Sequence, residues 1–463
     1  MTGRGDGPIL GVDGPGRARF LGGFDGHGGR TEDMAFDDAA DRGAGAPVFA
    51  NGRTLRWPAR AVVIVCIDGC DPAYIAAARA AEAIPIISGM MCDGFSAIAS
   101  AAMPTFTNPN NISIVCGAPP AVHGVSGNYY LDRATGREIM MLDASPLTAP
   151  TILARFSQAG AAVVAITAKD KLRRALGKDV RGVVFSAECA ASCTMAENGI
   201  TGIVELVGRP APEQYSSDLS LFVLDAGIRL LESRSPDLMY LSLSDYVQHK
   251  YAPGTPEANA FMRAVDERLG QLLVLGARVG VVADHGMSDM ALPDGRPNVL
   301  YLGDRLDEAF GAAATRVICP ITDPFVRHHG ALGGFVRVYV TRPGLRSATV
   351  VRFISALPAV ELALAREDAC ARFELPEDRE ADVAVVARKG FAIGSRGSEH
   401  DVSQLVGERL RSHGGVAEQP VPFIISQPLT AEYAARAAGS LRNFDIFEFA
   451  LNGCEDNGGA AGA

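Results

Sequence analysis

The chain has 463 residues, which suits two or three domains or one large domain with an insertion. Its formal net charge of −10 argues against a general nucleic-acid binder and against a binder of anionic membranes, because either would need a basic face. An anionic ligand would therefore have to be bound by metal ions, by selected Lys or Arg side chains, or by both.

The two ends of the chain differ in composition from the rest. Thirteen of the first 46 residues are Gly, so residues 1–50 are predicted to be a disordered extension, and residues 451–463 a flexible tail. The nine cysteines are scattered, without a CxxC pair, and no run of about 20 apolar residues occurs. These features favour a reducing, cytoplasmic location without secretion or a membrane span, and a homodimer is compatible with them.

Between these ends, apolar strand-like runs alternate with helix-like segments, which is typical of a mostly parallel α/β sheet flanked by helices. The predicted strands cover residues 61–69, 160–167, 238–245 and 278–286, and one helix is predicted over residues 72–87. From residue 298 to 390 the pattern changes to a smaller α+β layer, interpreted as a cap. The core would then comprise residues 51–297 and 391–450.

Three of the predicted strands end in an aspartate: Asp68, Asp245 and Asp284. The carboxyl ends of parallel strands line one crevice, so these side chains are expected to converge. A single such Asp is more often a helix cap or a turn residue. Three together, with His249 four residues after Asp245 and His285 directly after Asp284, favour a metal site.

Crowded carboxylates raise one another's pKa unless cations neutralise them. Mixed Asp and His ligands suit zinc, with manganese or iron as substitutes. His400, in the polar segment SRGSEHDVS, is not an obvious core histidine and is predicted to be a further ligand. The predicted ligand sets are Asp245, His249 and His400 for one ion, and Asp68, Asp284 and His285, with Thr107 Oγ in the open position, for the other.

The segment MPTFTNPNNISIVCG, residues 103–117, has two interpretations. Asn108 as N-cap and Pro109 at the first helical position would simply begin a helix. Alternatively, Thr107 is a nucleophile at a helix N-terminus, where free N–H groups and the helix dipole favour an anion. Local sequence favours the first interpretation, whereas the predicted metal sites favour the second, because coordination would activate the hydroxyl.

The motifs IDG, PTFTNPNNISIVCG, HGVSGN, SDYVQH, VADHGM and GSEHD occur in this order. Together they resemble the alkaline phosphatase superfamily, in its nucleotide pyrophosphatase/phosphodiesterase-like branch. Three longer segments, NGRTLRWPARAVVIVCIDGCDPAYI, TAKDKLRRALGK and PITDPFVRHHGALGGF, are similar to the phosphonoacetate hydrolase family within that branch. The resemblance covers residues 51–430 and implies an alkaline-phosphatase-like core with two zinc ions.

The resemblance also implies an activity, namely hydrolysis of the carbon–phosphorus bond of phosphonoacetate through a phosphothreonine at Thr107. Asn128 matches the residue that hydrogen-bonds the phosphoryl oxygen, and Lys169 and Lys171 match a pair that engages the substrate. Most Lys in such a turn are merely solvated. The reaction, however, needs fixed positive charge where the substrate's carboxylate absorbs the electrons of the broken bond.

Two alternatives remain open at this stage. A phosphodiesterase or nucleotide pyrophosphatase with the same two metals would need a slot with aromatic residues for a base. A non-catalytic phosphonate-binding protein could keep the ligands and lose the nucleophile, although Thr107 is present. His328 and His329, in VRHHGAL, are interpreted as packing and hydrogen-bonding residues.

Overall fold

The computed structural model describes residues 45–132, 135–140, 146–320, 331–402, 405 and 408–455. Residues 1–44 lie outside this description, as do His328 and His329. Two described elements reach into the predicted extension and the predicted tail. Val48–Ala50 is a strand in a hairpin that turns at Asn51 and Gly52, both with positive φ, and the final helix continues to Asn452.

The described strands are β1 Val48–Ala50, β2 Arg53–Leu55, β3 Val62–Cys66, β4 Phe95–Ser100, β5 Tyr129–Asp132, β6 Arg137–Met140, β7 Val163–Thr167, β8 Val183–Ser186, β9 Leu238–Ser242, β10 Arg278–Val282, β11 Ser288–Asp289, β12 Val299–Tyr301, β13 Thr315–Ile318, β14 Phe335–Val340, β15 Val360–Ala365, β16 Val383–Ala387, β17 Ala392–Gly394, β18 Arg411–Ser412 and β19 Pro420–Ile425.

The described helices are α1 Pro72–Ala80, α2 Pro85–Asp93, α3 Thr107–Cys116, α4 Pro120–His123, α5 Ile152–Gln158, α6 Asp170–Leu176, α7 Met195–Asn198, α8 Ile203–Val207, α9 Asp218–Arg234, α10 Tyr246–Lys250, α11 Pro256–Val274, α12 Leu302–Phe310, α13 Ser347–Ser355, α14 Arg366–Phe373, α15 Ala431–Ala437 and α16 Ile446–Asn452.

A seven-stranded sheet forms the centre of the molecule, in the order β4-β19-β10-β3-β9-β7-β8. Strand β19 pairs antiparallel with both of its neighbours, and the other pairs in this sheet are parallel. Strands β3, β7, β9 and β10 are buried along their whole length, as expected for a sheet covered on both faces. The predicted α/β core with a mostly parallel sheet is confirmed.

The helix predicted over residues 72–87 is in fact two helices, α1 and α2. Pro85 lacks an N–H donor and disfavours helical backbone at the residue before it, so the first helix cannot run through this point. Glu82 adopts a left-handed conformation between the two helices. The carboxylate of Asp266 then accepts hydrogen bonds from the backbone N–H groups of Ile86 and Ile87. A side chain from a distant part of the chain therefore caps the N-terminus of α2.

A second, antiparallel sheet has the order β13-β14-β16-β15. Its apolar residues pack with helices α12 and α13 in a core of their own. All four strands fall between residues 298 and 390, and the cap boundaries remain a prediction. Within the described ranges no single helix has the length and apolarity to cross a membrane, although α1 and α2, bent by 110°, reach that length and composition as a pair.

Candidate active site

The parallel register of the central sheet brings the predicted acidic residues together. Cys66, at the end of β3, pairs with Val282 of β10 on one side and with Ser242 of β9 on the other. Strands β10, β3 and β9 therefore end at the same edge of the sheet. Asp68, Asp245 and Asp284 follow these strand ends by two or three residues, and all three are buried.

One group of candidate ligands consists of Asp68, Asp284 and His285, whose ligand atoms all lie within 4.8 Å of one another. His285 Nε2 lies 3.4 Å from Asp68 Oδ1 and 3.9 Å from Asp284 Oδ2. The Thr107 hydroxyl lies 3.3 Å from the same nitrogen. Neighbouring ligands of a tetrahedral zinc ion, with bonds of about 2.0–2.1 Å, are roughly 3.3–3.4 Å apart, so the spacing suits a zinc ion.

Asp68 carries an unsatisfied atom at this group. Its Oδ1 is buried and has no hydrogen-bond partner within the described structure. Burial first, and then the charges of Asp245 and Asp284, raise the pKa of the Asp68 carboxyl well above its ordinary value, against an opposing effect of Lys169. A cation between these carboxylates would remove both the desolvation cost and the repulsion.

The second group is Asp245, His249 and His413, so the prediction of His400 as a ligand is wrong. His249 Nε2 lies 2.9 Å from Asp245 Oδ2. The ring of His413 stacks on His285 with centroids 3.7 Å apart, so the two groups are direct neighbours.

His400 lies instead beside a separate two-stranded parallel sheet formed by β12 and β17. Its Nε2 accepts a hydrogen bond of 2.8 Å from the backbone N–H of Ser395, and its ring lies 5.9 Å from that of Tyr301. The polar segment around His400 follows β17 through a 3₁₀ turn at Gly397–Glu399, which places the ring against Gly394 rather than at the edge of the central sheet.

Three histidines share one orientation. Each places Nδ1 within 2.7–2.8 Å of a backbone carbonyl: His249 on Arg411, His285 on Gly286 and His413 on Thr105. A carbonyl only accepts, so each Nδ1 carries a proton, and in a neutral ring Nε2 is then the nitrogen with the lone pair. A hydrogen bond from the other ring nitrogen to a backbone carbonyl is usual for histidine metal ligands. Burial, then His285 and His249, lower the pKa of His413 well below its ordinary value, which keeps it neutral as a ligand must be.

Thr107 is the first residue of α3, and the N-cap is Phe106. The interpretation of Asn108 as N-cap and Pro109 at the first helical position is therefore wrong by two residues. Asn110 explains the shift, because its side chain is buried and bonds the backbone of Ala102, Pro104 and Phe106, which fixes the approach to the helix. Thr107 thus presents its hydroxyl and a helix N-terminus to the same place.

A small cavity of about 70 Å³ opens beside Thr107. Lys169 follows β7, the strand next to β9, and its Nζ lies 3.1 Å from Asp245 Oδ1. Asn108 Nδ2 donates a 2.7 Å hydrogen bond to Asn128 Oδ1, which holds that amide at the cavity. The predicted site residues that line the cavity are Asp68, Thr107, Asn128, Lys169, Lys171 and Asp245, and His413 joins them.

Three further residues organise this site and were not predicted from the sequence: Thr105, Asn111 and His413. The Asn111 side chain is fully used, since it donates to Asp284 Oδ2 and to the Thr107 carbonyl and accepts from Tyr240 and Ser242. Asn111 lies one helical turn after Thr107, and this spacing was an available signal for contact with the same site. His413 offered a weaker one, a His-Gly-Gly run directly after a short strand.

The residues fit metal ions. The Nε2 atoms of His249 and His285 each face a carboxylate oxygen, and with neutral rings a cation beside each such pair of acceptors would satisfy both. Six buried Asp and His ligands in two adjacent groups match the donor types of zinc sites. The arrangement could support metal-assisted displacement by a hydroxyl such as that of Thr107, with Lys169 and Lys171 as fixed positive charge.

A family model described as type I phosphodiesterase / nucleotide pyrophosphatase matches residues 62–415. Among solved structures, phosphonoacetate hydrolase from Sinorhizobium meliloti 1021 is 46% identical to this chain, with a TM-score of 0.84. The match covers 89% of this chain and 99% of that one, and the two structures contain phosphonoformate and phosphonoacetate.

A more distant similarity extends to murine ectonucleotide pyrophosphatase / phosphodiesterase 5. It is 17% identical, with a TM-score of 0.56, and the match covers 84% of this chain and 93% of the other. At this identity the similarity shows the fold alone.

Proposed function

The chain belongs to the type I phosphodiesterase / nucleotide pyrophosphatase family, and within it we propose that the protein hydrolyses phosphonoacetate to acetate and phosphate. The observation that carries the proposal is one cavity that joins Thr107 and both candidate metal groups to Lys169 and Lys171. The 46% identity to an enzyme whose structure contains phosphonoacetate supports it.

Zinc is the proposed metal, at two ions per chain, with manganese or iron as substitutes. Asp68, Asp284 and His285 would hold one ion, and Asp245, His249 and His413 the other. When bound, the two ions would supply positive charge for the phosphoryl oxygens and lower the pKa of the attacking hydroxyl. A cytoplasmic location and a homodimer remain predictions of the sequence.

In the first step Thr107 Oγ attacks phosphorus, a new O–P bond forms, and the C–P bond breaks on the opposite side. Asn128 holds a phosphoryl oxygen through its side-chain amide. The electron pair of the broken bond passes to the methylene carbon and is delocalised onto the adjacent carboxylate. Lys169 and Lys171 stabilise that enolate-like charge, and the carbon then takes a proton to give acetate.

In the second step a water molecule attacks phosphorus from the side that acetate has left. The phosphothreonine bond breaks, phosphate forms and the Thr107 hydroxyl is restored. Asn111 keeps Thr107 in register through both steps, because its amide bonds the Thr107 carbonyl and the Asp284 carboxylate at once. The sum is phosphonoacetate plus water to acetate plus phosphate.

The cavity argues against the phosphodiesterase alternative. Its volume is about 70 Å³, whereas pockets for drug-sized ligands run roughly from 300 to 1,000 Å³. Phe106 is the one aromatic residue among those that line it within the described structure, and its ring already packs edge-on against Phe335 and His413. No slot for a nucleobase is therefore formed by the described lining.

The test compares phosphate release from phosphonoacetate with cleavage of a p-nitrophenyl phosphodiester by the zinc-loaded protein. We expect a strong preference for phosphonoacetate, loss of turnover on chelation, and loss of turnover with retained zinc in Thr107→Ala. The double variant Lys169→Met/Lys171→Met should lose about 100-fold or more in kcat/KM for phosphonoacetate and far less for the diester, which has no carboxylate.

The exposed Lys389→Met is the matched control, because it removes one lysine charge away from the cavity. A preference for the diester in the unmodified protein would reject the proposed substrate while leaving the metal site and Thr107 in place. Retained zinc without any turnover in the unmodified protein would instead favour a binding protein.

A further inference from the structure

We propose that Thr105 is a positioning residue that couples the nucleophile segment to the metal ligand His413. This inference deepens the proposed function, because it concerns the same metal site. Thr105 lies two residues before Thr107 and is completely buried. Its hydroxyl is outside the lining of the cavity, so it has no direct contact with the substrate.

Four hydrogen bonds join Thr105 to the segment 413–415. The Thr105 carbonyl accepts from His413 Nδ1 at 2.7 Å. The Thr105 hydroxyl accepts from the backbone N–H of Gly414 at 3.0 Å and donates to the carbonyl of Gly415 at 2.8 Å. The backbone N–H of Thr105 donates to the Gly414 carbonyl at 3.4 Å.

These bonds decide how His413 meets a metal ion. The carbonyl bond fixes the tautomer, so that the lone pair is on Nε2, and it fixes the rotation of the ring. The hydroxyl bonds fix the backbone on the C-terminal side of the same histidine. Phe106 closes the arrangement, since its ring packs against that of His413 with centroids 5.8 Å apart.

The packing leaves this segment little freedom to adjust. Gly414 has a φ of 125°, where only glycine is readily accommodated, and a Cβ there would lie 2.7 Å from the Phe106 ring. Within this tightly packed segment the Thr105 hydroxyl is the partner of the Gly414 N–H, so its loss would leave that group unpaired directly beside His413 and disturb the position of the ring. Removal of a group that bonds a metal ligand directly typically weakens metal affinity by about 10- to 100-fold, and the Thr105 hydroxyl acts one bond further away, so we expect a loss near the lower end of that range.

A purely structural role for Thr105 is the competing explanation, because any buried hydroxyl stabilises a fold. The two explanations differ in which quantity changes. Positioning predicts a change in zinc affinity at one of the two sites that depends on His413. A structural role predicts a lower unfolding free energy without a selective change in zinc affinity.

The experiment is a double-mutant cycle on zinc affinity, measured with the full chain by competition with a fluorescent chelator. Thr105→Val keeps the shape and removes the hydroxyl, and we expect about 10-fold or greater loss at one site. Thr105→Ser, which restores the hydroxyl, should recover most of the affinity. In a His413→Ala background, Thr105→Val should add little further loss.

Ser113→Ala is the matched control, because this buried hydroxyl of α3 bonds His123 and not the metal groups. It should lower stability without changing zinc affinity. Equal zinc affinities for Thr105→Val and the unmodified protein, or the same loss with and without His413, would overturn the proposal. The zinc readout is independent of the substrate, so an unmodified protein that binds zinc but leaves phosphonoacetate intact rejects only the proposed function.

Discussion

His413 forms a candidate metal group with Asp245 and His249. His400 instead accepts a hydrogen bond from the backbone N–H of Ser395, and it belongs to neither metal group found among the described residues. We expect His413→Ala to lower the zinc content from two ions per chain to one and to reduce kcat/KM for phosphonoacetate by about 100-fold or more, because one ligand of three is lost. Metal analysis after gel filtration and steady-state phosphate release are the measurements.

His400→Ala is the matched control, since it removes an imidazole of intermediate exposure from the same C-terminal part of the chain. It should leave both the zinc content and turnover near those of the unmodified protein. The assignment of His413 would be wrong if the two variants exchanged these behaviours.

The sequence predicted the acidic ligands but not this histidine, for a physical reason. Asp68, Asp245 and Asp284 each follow a long apolar strand, and the geometry of a parallel sheet then brings them together. His413 follows β18, a strand of two residues that exists because it pairs with β11. Such a short strand has no periodicity, so its position depends on tertiary pairing that residue patterns do not encode.

At the scale of elements, strand β14 of the second sheet supports the turn that carries Asn128. Arg337 of β14 is completely buried and donates to the backbone carbonyl and hydroxyl of Ser126. Its guanidinium is held in turn by both carboxylate oxygens of Glu380, at 2.9 and 2.8 Å. The backbone N–H of Asn128 donates to the carbonyl of Pro320. The second sheet thus fixes the position of Asn128, which lines the cavity at the edge of the central sheet.

We expect Arg337→Met to destabilise the protein by about 3–5 kcal/mol, because it leaves the buried carboxyl group of Glu380 without its guanidinium partner and with only the backbone N–H of Ala381 to bond it. The free Ser126 turn should also raise KM for phosphonoacetate more than it lowers kcat, since Asn128 is the residue proposed to bind the phosphoryl group. Urea unfolding and steady-state kinetics measure the two effects.

Arg366→Met is the control for this prediction. Arg366 pairs with Asp382 beside the same sheet, but the pair is partly solvated, so its loss should cost less than about 1 kcal/mol and leave KM unchanged. Equal unfolding free energies for the two variants would contradict the role given to the buried pair.

The helices that differ from their predictions also differ for long-range reasons. Asp266 of α11 begins α2, and Asn110 fixes the approach to α3 through three separate backbone positions. Local signals such as Pro85 and Pro109 mark where a helix can begin or stop. They do not determine which of the possible starts acquires hydrogen-bond partners from elsewhere in the chain.

At the scale of the whole molecule, most residues of the candidate site follow neighbouring strands of one parallel sheet, so the sequence pattern of those strands is enough to locate the site. Four neighbouring parallel strands, β10, β3, β9 and β7, deliver the acidic residues and Lys169 to one edge. Parts added later in the chain, β18 and the second sheet, complete and brace that edge. Some side chains packed beneath this edge are buried in their neutral form. Because the unfolded chain protonates such groups more readily, the stability of the fold should depend on pH.

His123 is the clearest case. Its ring is completely buried, Nδ1 accepts from the backbone N–H of Val125, and Nε2 donates to Ser113 Oγ at 2.8 Å. Burial, and then the charge of Arg379, lower the pKa of His123 from 6.5 to about 3. The unfolded chain takes up a proton below pH 6.5 whereas the folded protein does not until about pH 3. His123 therefore contributes its full stability above pH 6.5 and loses it as the pH falls.

We expect this one group to lower the unfolding free energy by close to 1.4 kcal/mol per pH unit between about pH 6 and pH 4, because one extra proton binds the unfolded chain. Denaturant unfolding of the chelated protein and of His123→Gln across this range measures it. Loss of the bonds to Ser113 and Val125 lowers the unfolding free energy of the variant by an amount that does not depend on pH. The diagnostic quantity is therefore the slope of the unfolding free energy against pH. The difference in unfolding free energy between the two proteins should be widest at pH 7 and narrow towards pH 4, and parallel curves would show that folding does not lower the pKa of His123.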